Sequence, residues 1–127
     1  MRRGFRFQRV LAQIVVVTML GMLGGLWSCT KRMTPKPPQA TPGGVQFMLQ
    51  APRAKHVSLV GSFNGWAKGA MPMKTLDGAL WSVIVPLNEG EHTFMYLIDG
   101  SQWVTPPQAE DFVTDGFGQI NGVVIVR

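Results

Sequence analysis

The sequence predicts an all-β fold, an antiparallel β-sandwich, over residues 45–127. No stretch after Gly44 keeps a helical periodicity over three turns, whereas short runs rich in β-branched and aromatic residues recur. Turn-forming tetrapeptides such as "FNGW", "LDGA" and "NEGE" separate these runs. Six or seven short strands at this spacing, in about 80 residues, are typical of a sandwich of two sheets.

Each predicted strand is a short apolar run that ends at a turn signal. The predicted strands are residues 45–50, 55–61, 80–85, 92–99, 102–104 and 122–126. Side chains alternate between the two faces of a strand, so two of these runs predict which residues face the core. The predicted inward series are Trp81, Val83 and Val85 in one strand and Phe94, Tyr96 and Ile98 in the other. Thr93, Met95 and Leu97 then point outward, and Met95 is unusually apolar for an exposed face.

The first 28 residues have the pattern of an export signal. Four arginines precede residues 10–27, a run of 18 residues without a charge, and small residues follow at Ser28 and Cys29. A basic start, an apolar middle and a small-residue exit indicate a signal peptide. An uncleaved membrane anchor is the alternative, because 18 apolar residues are just long enough to span a bilayer core. Both alternatives predict that the remainder of the chain is exported.

Cys29 is the only cysteine, so the chain has no intramolecular disulfide. "LWSC", residues 26–29, resembles the lipobox of bacterial lipoproteins, which implies lipidation at Cys29 and attachment to a membrane surface; a free thiol is the alternative. Thr30 follows the cysteine, and by the same resemblance this favours the outer membrane in a bacterium with two membranes. Four prolines between Cys29 and Gly44 predict a stiff, extended linker over residues 29–44.

The charge distribution argues against a nucleic-acid partner. The formal net charge is +5, but four of the 12 Lys and Arg residues precede Val10. From Cys29 onward, eight basic residues therefore stand against seven acidic ones. The basic excess belongs to the export signal, and the folded part has no basic surface of the kind that binds phosphate backbones.

The sequence also offers no catalytic or metal-binding constellation. Hydrolysis of a glycosidic bond needs two carboxylates fixed across that bond. Each candidate acid stands in or beside a Gly- or Pro-rich turn, where an acid that caps the turn is expected: Asp99, Glu110, Asp111 and Asp115. His56 and His92 have no partner at metal-ligand spacing, and the serines lack a nucleophile elbow. We expect no enzymatic activity, no metal and no cofactor.

Three ordered segments resemble the family 48 carbohydrate-binding modules: "VSLVGSFNGW", "LWSVIVPLNEGEHTFMYLIDGSQW" and "VTDGFGQINGVVIV". This family includes the glycogen-binding domain of the β subunit of AMP-activated protein kinase and the early-set domains of isoamylases and branching enzymes. The resemblance covers residues 45–127 and implies an immunoglobulin-like, early-set sandwich that binds α-1,4-linked glucans.

The resemblance also implies a sugar site. Two tryptophans of the family receive glucose rings on their faces, and they fall on Trp66 and Trp103. A sugar-binding asparagine matches Asn121, and the residues four and two positions before it are Phe117 and Gln119. A lysine of the kinase subunit that hydrogen-bonds the glucan aligns with Met95, which has no donor. Aromatic faces edged by amides suit glucose, whose C–H faces are apolar and whose rim carries hydroxyl groups.

Structural roles remain open for each of these residues. Instead of binding sugar, Trp66 could pack over the edge of the sandwich as a structural cap, and Trp103 could be an anchor at the end of a strand. Asn121 precedes Gly122, and Asn-Gly is a strong turn signal. Phe117 lies between glycines and has the alternative of a core aromatic. The alternative function is that of an early-set domain that docks an envelope enzyme or other protein partner without binding sugar.

Overall fold

Alternating apolar residues build two antiparallel sheets in the computed structural model, which describes residues 34–127. The strands are β1 (Gln39–Thr41), β2 (Gly44–Gln50), β3 (Val57–Gly61), β4 (Met71–Pro72), β5 (Lys74–Thr75), β6 (Leu80–Val85), β7 (Gly90–Ile98), β8 (Gln102–Val104), β9 (Asp111–Thr114) and β10 (Ile120–Val126). A 3-10 turn, Ser62–Asn64, follows β3. The prediction of an all-β antiparallel sandwich is confirmed.

The strands form two antiparallel sheets. The smaller sheet has the order β1-β2-β6-β5, and the larger has the order β4-β3-β7-β10-β9 with β8 added beside β7. One edge of β7 pairs with β3. The opposite edge is shared: β10 pairs with residues 90–94 and β8 pairs with residues 96–98. The ends of β8 and β10 therefore meet beside Met95.

Aromatic side chains fill the space between the sheets. The Phe94 ring meets Phe47 of the smaller sheet edge to face, with 4.9 Å between centroids, and Tyr96 at 5.7 Å. The Tyr96 hydroxyl donates a hydrogen bond to the Met48 carbonyl oxygen at 3.1 Å, which links the two sheets. Trp81 is buried, and its indole N–H donates to the Ala51 carbonyl oxygen at 3.0 Å. Both predicted inward series pack in or against this core, so those face assignments are confirmed.

Four short strands have no counterpart among the predicted ones: β1, β4, β5 and β9. They contain two to four residues each, which is too short for a period of two to stand out, and β4 contains a proline. Strand β1 lies in the segment for which an extended linker is predicted. Its residues pair with the start of β2, Gln39 opposite Gln46 and Thr41 opposite Gly44, so this end of the segment is part of the smaller sheet.

Two further sequence predictions concern membrane attachment and metal binding. The apolar run 10–27 and Cys29 lie outside the described residues. Between residues 34 and 127, no helix is long and apolar enough to cross a membrane. Over the same range, His, Cys, Asp and Glu side chains form no group of three or more that could hold a metal ion.

Candidate functional site

A cavity of about 440 Å³ opens on the outer face of the larger sheet. It is lined by Trp66, Thr93, Met95, Trp103, Asp115, Gln119 and Asn121. Five of the six candidate site residues in the folded part thus come together, although they are spread along the chain from position 66 to position 121. The sixth candidate, Phe117, does not line the cavity.

Trp66 forms one wall because the turn before it is tightly fixed. The Asn64 side chain accepts a hydrogen bond from the Gly61 N–H and donates one to the Leu59 carbonyl oxygen, both at 3.1 Å. The backbone of Gly65 and Trp66 then turns through the left-handed region, with φ of 64° and 60°. The Trp66 N–H donates to the Gly61 carbonyl oxygen at 3.0 Å.

The left-handed conformation of Trp66 is rare for a bulky residue and carries strain, which proteins retain mainly at functional positions. It leaves the indole 37% exposed at the mouth of the cavity. The Asn64-Gly65 pair is therefore part of a rigid support for an aromatic surface, and it does not close a hairpin between two strands.

Trp103 forms the second wall from the short strand β8. It stands opposite Leu97 of β7, on the same face of the sheet, and is half-buried. The Lys68 ammonium group lies 5.5 Å from the centre of the Trp103 ring, within the range of a cation–π interaction. Lys68 belongs to the same loop as Trp66, so this contact connects the two aromatic walls.

Met95 lies at the floor of the cavity, and its predicted exposure is wrong. Its side chain has the predicted direction, away from the core, yet it is only 2% exposed. Val60 of β3 lies opposite it across the strand pair and is itself buried. Leu97, also predicted to be exposed, is covered because Trp103 stands opposite it on β8. The outer face of β7 thus supports a second, smaller apolar layer beneath the site.

Asn121 supplies an amide to the floor of the cavity. It lies within β10, opposite Val113 of β9, so the Asn-Gly pair does not form a turn here. Gly122 is needed for a different reason: a Cβ atom at this position would come within 2.6 Å of the Pro106 ring on the core side. The Asn121 side chain is 8% exposed, and no group among residues 34–127 hydrogen-bonds to its amide. The amide is therefore available to a ligand.

The loop between β9 and β10 is held by Asp115. Its Oδ1 atom accepts hydrogen bonds from the Phe117 N–H at 2.7 Å and the Gln119 N–H at 3.2 Å, and its own N–H donates to the Gln119 carbonyl oxygen at 3.0 Å. This turn-capping role is the one that the sequence predicts for the acid. The compact loop directs Gln119 to the cavity and leaves Phe117 95% exposed outside it, so Phe117 is not a core aromatic.

Thr93 and Asp115 line the cavity without having been proposed as site residues from the sequence. Thr93 precedes Met95 by two positions, and the period of a strand could have placed both on one face. Asp115 carries no such signal, because a turn-capping acid looks the same in sequence whether or not its loop borders a cavity.

The assembled cavity is chemically suited to binding. Two indole faces and a methionine provide apolar surface, while a hydroxyl, two amides and a carboxylate can exchange hydrogen bonds with a ligand. Few ligands combine apolar faces with a hydroxylated rim in this way, and sugars are the main class that does. Among the lining residues Asp115 is the one carboxylate, whereas glycoside hydrolysis commonly uses a pair.

Comparison with known proteins gives the family. The family model that describes the glycogen recognition site of AMP-activated protein kinase matches residues 45–127. The chain belongs to this family. The match begins one residue after β2 starts and continues to the end of the chain, so it includes every residue of the cavity.

The relatives of this chain range from a protein of similar length to much longer ones, and the chain matches only part of each. The β-1 subunit of 5'-AMP-activated protein kinase from Sus scrofa is 40% identical over 73 residues, which cover 58% of this chain and 56% of the subunit. The 1,4-alpha-glucan branching enzymes GlgB of Deinococcus radiodurans and Photobacterium profundum are 32% and 38% identical over 71 and 68 residues. Those matches cover 56% and 53% of this chain and 10% of each enzyme.

Proposed function

We propose that this chain binds an α-glucan such as glycogen or starch, or a related oligosaccharide, and catalyses no reaction on it. The observation that carries the proposal is the cavity itself, in which Trp66 and Trp103 form walls around the amide of Asn121. Membership of the glycogen-recognition family supports the same ligand class.

The dimensions of the aromatic surface support a moderate affinity. Covering roughly 100 Å² of apolar surface at each tryptophan contributes about 2.5 kcal/mol per ring at 25 cal/mol per Å². Association costs several kcal/mol in lost freedom, so a dissociation constant between about 1 mM and 1 μM is expected. Met95 adds apolar contact at the floor and no hydrogen-bond donor.

The proposed location is the cell envelope. The basic and apolar pattern of residues 1–28 supports export, and the lipobox-like segment before Cys29 supports a lipid anchor. A fatty-acid label on the wild-type chain that is absent from Cys29→Ser would establish the anchor. An unlabelled wild-type chain that still fractionates with membranes would instead indicate an uncleaved N-terminal helix.

Docking of a protein partner is the second candidate function. It is favoured by the apolar side chains that the β9–β10 hairpin exposes beside the cavity. Phe117 is 95% exposed, and Phe112, Val113 and Ile120 are each more than 40% exposed. Phe112 and Ile120 lie on one face of this hairpin and Val113 on the other, and exposed apolar side chains often mark an interaction site.

Affinity electrophoresis separates the two functions. The full chain, purified in a mild detergent, is run through gels that contain glycogen, amylose, pullulan or a cellulose derivative, beside Trp103→Ala and Phe117→Ala. Retardation by the α-glucans that disappears in Trp103→Ala, with cellulose inactive, would support glucan binding. A folded chain that no gel retards would contradict it and favour docking, which pull-downs with wild type and Phe117→Ala would then examine.

A further inference from the structure

Asp115 stands out because it is the one charged side chain among the residues that line the cavity. The other polar lining groups, on Thr93, Gln119 and Asn121, are uncharged. The two carboxylate oxygens of Asp115 differ in their surroundings. Oδ1 accepts the N–H groups of Phe117 and Gln119, whereas Oδ2 accepts no hydrogen bond from any group in residues 34–127. One oxygen holds the loop, and the other is left for water or a ligand, on a residue that lines the cavity.

We infer that Asp115 makes this cavity select uncharged glucans over phosphorylated or carboxylated ones. The inference rests on the proposed function and names the ligand class of the same site. The free oxygen accepts hydrogen bonds from sugar hydroxyl groups, which are donors, while an anionic substituent offers only acceptors. Repulsion adds to this loss: two like charges about 4 Å apart reduce affinity about fivefold even at the dielectric constant of water, and more in a partly closed cavity.

Lys68 provides the opposing charge at this site. Its ammonium group lies beside Trp103 and attracts an anionic ligand. Lys68 does not itself line the cavity, and it is exposed to solvent. Water and salt screen both groups, since Asp115 is exposed as well, and Asp115 dominates the selection because it is the one of the two that lines the cavity. Replacing Lys68 by methionine should increase the discrimination against anionic glucans.

The substitution Asp115→Asn separates the charge of this residue from its structural role. An asparagine Oδ1 accepts the same two backbone N–H groups, so the loop keeps its hydrogen bonds while the negative charge is removed. Asp111→Asn is the matched control. Asp111 is an exposed acid on β9 that does not line the cavity. Its Oδ1 atom accepts a hydrogen bond from the N–H of its neighbour Phe112 at 2.8 Å.

The test is titration calorimetry of the full chain in a mild detergent with two probes. The probes are maltoheptaose and maltoheptaose phosphorylated at the 6-hydroxyl group of every glucose unit, so that a phosphate falls within the cavity in every binding register. Wild type and Asp111→Asn should bind the phosphorylated probe at least about fivefold more weakly than the neutral one. In Asp115→Asn this ratio should fall to near one, and in wild type it should shrink at 1 M salt, where the screening length is about 3 Å.

Each alternative result has a distinct meaning. Equal binding of both probes by wild type would overturn the selection by Asp115 and leave glucan binding intact. A ratio that persists in Asp115→Asn would also overturn it, since the discrimination would then come from another group. If the folded wild type binds neither probe, the proposed glucan binding fails and the inference fails with it.

Discussion

Replacement of tryptophan by alanine should have different effects at Trp66, which lies at the surface, and at Trp81, which lies in the core. The Trp66 indole is 37% exposed, which is about 90 Å² of the roughly 250 Å² of a tryptophan side chain. Covering that area with a sugar ring is worth about 2.3 kcal/mol, so Trp66→Ala should weaken glucan binding roughly 50-fold. It should lower the free energy of unfolding by only about 1 to 2 kcal/mol, because more than a third of the residue is already exposed.

Trp81→Ala should show the opposite pattern. This residue is 7% exposed and donates to the Ala51 carbonyl oxygen, so its removal leaves a cavity in the core and leaves that oxygen with the Ala54 N–H as its remaining donor. The expected loss in the free energy of unfolding is about 3 to 5 kcal/mol. Glucan affinity per folded molecule should remain close to that of the wild type.

Urea denaturation measures the free energy of unfolding, and calorimetric titration of the same protein samples measures the affinity for glucan. The reasoning would be refuted if Trp66→Ala were as destabilising as Trp81→Ala and bound glucan like the wild type. Trp66 would then be a structural cap over the sandwich edge, which is the alternative role that the sequence allows for it.

Three further substitutions examine the floor of the site, the core and the turn. Met95→Lys should restore a donor at the floor and lower the dissociation constant for glucan about fivefold, as measured by calorimetry; no change in a folded variant would count against this face as the site. Burial raises the pKa of the Tyr96 phenol, so the unfolded chain ionises first and the free energy of unfolding should fall as the pH rises above about 10. Tyr96→Phe should lose about 1 kcal/mol at pH 7, through its bond to the Met48 carbonyl, and should remove that alkaline fall in urea denaturation; an unchanged pH profile would contradict this. Gly61→Ala should cost about 1 to 3 kcal/mol and weaken glucan binding, because the new Cβ would lie 2.5 Å from the Thr93 carbonyl oxygen next to the Trp66 turn. Gly43→Ala, where φ is not positive and the new Cβ would make only an ordinary contact of 3.5 Å with Ile84, should leave glucan affinity unchanged, and equal binding losses in both glycine variants would argue against the steric explanation.

The regular strands of the core were predictable because their signal is local. In β6 and β7 a period of two places Trp81 and Phe94 towards the core whatever their partner strands are, and the structure confirms both. Short strands such as β4 and β9 carry no such pattern. Their strand conformation is set by pairing, of β4 with β3 and of β9 with β10. Local periodicity therefore predicts faces of long strands and leaves out the short edge strands.

The motifs predicted which residues form the candidate site better than they predicted where each side chain lies. Trp66, Trp103, Met95, Gln119 and Asn121 were named from the sequence, and they line one cavity. Phe117 belongs to the same motif but points into solvent, because the two N–H bonds to Asp115 fix the loop around it. Their roles in sugar binding remain predictions that the experiments above test.

The sequence by itself determined that this chain folds as an antiparallel sandwich and which side of β6 and of β7 faces the core, because these properties follow from the alternation of apolar residues within single strands. Only the tertiary structure decided that Met95 and Leu97 are covered on the outer face and that Asp115 borders the cavity. Burial of an outward side chain depends on what packs over it from elsewhere in the chain. Here β8 pairs with the edge of β7 that β10 leaves free, and this places Trp103 over Leu97 beside Asn121. The β7–β8 pairing is local, whereas β10 reaches the same edge of β7 from a later part of the chain, so only the folded chain brings Trp103 and Asn121 together.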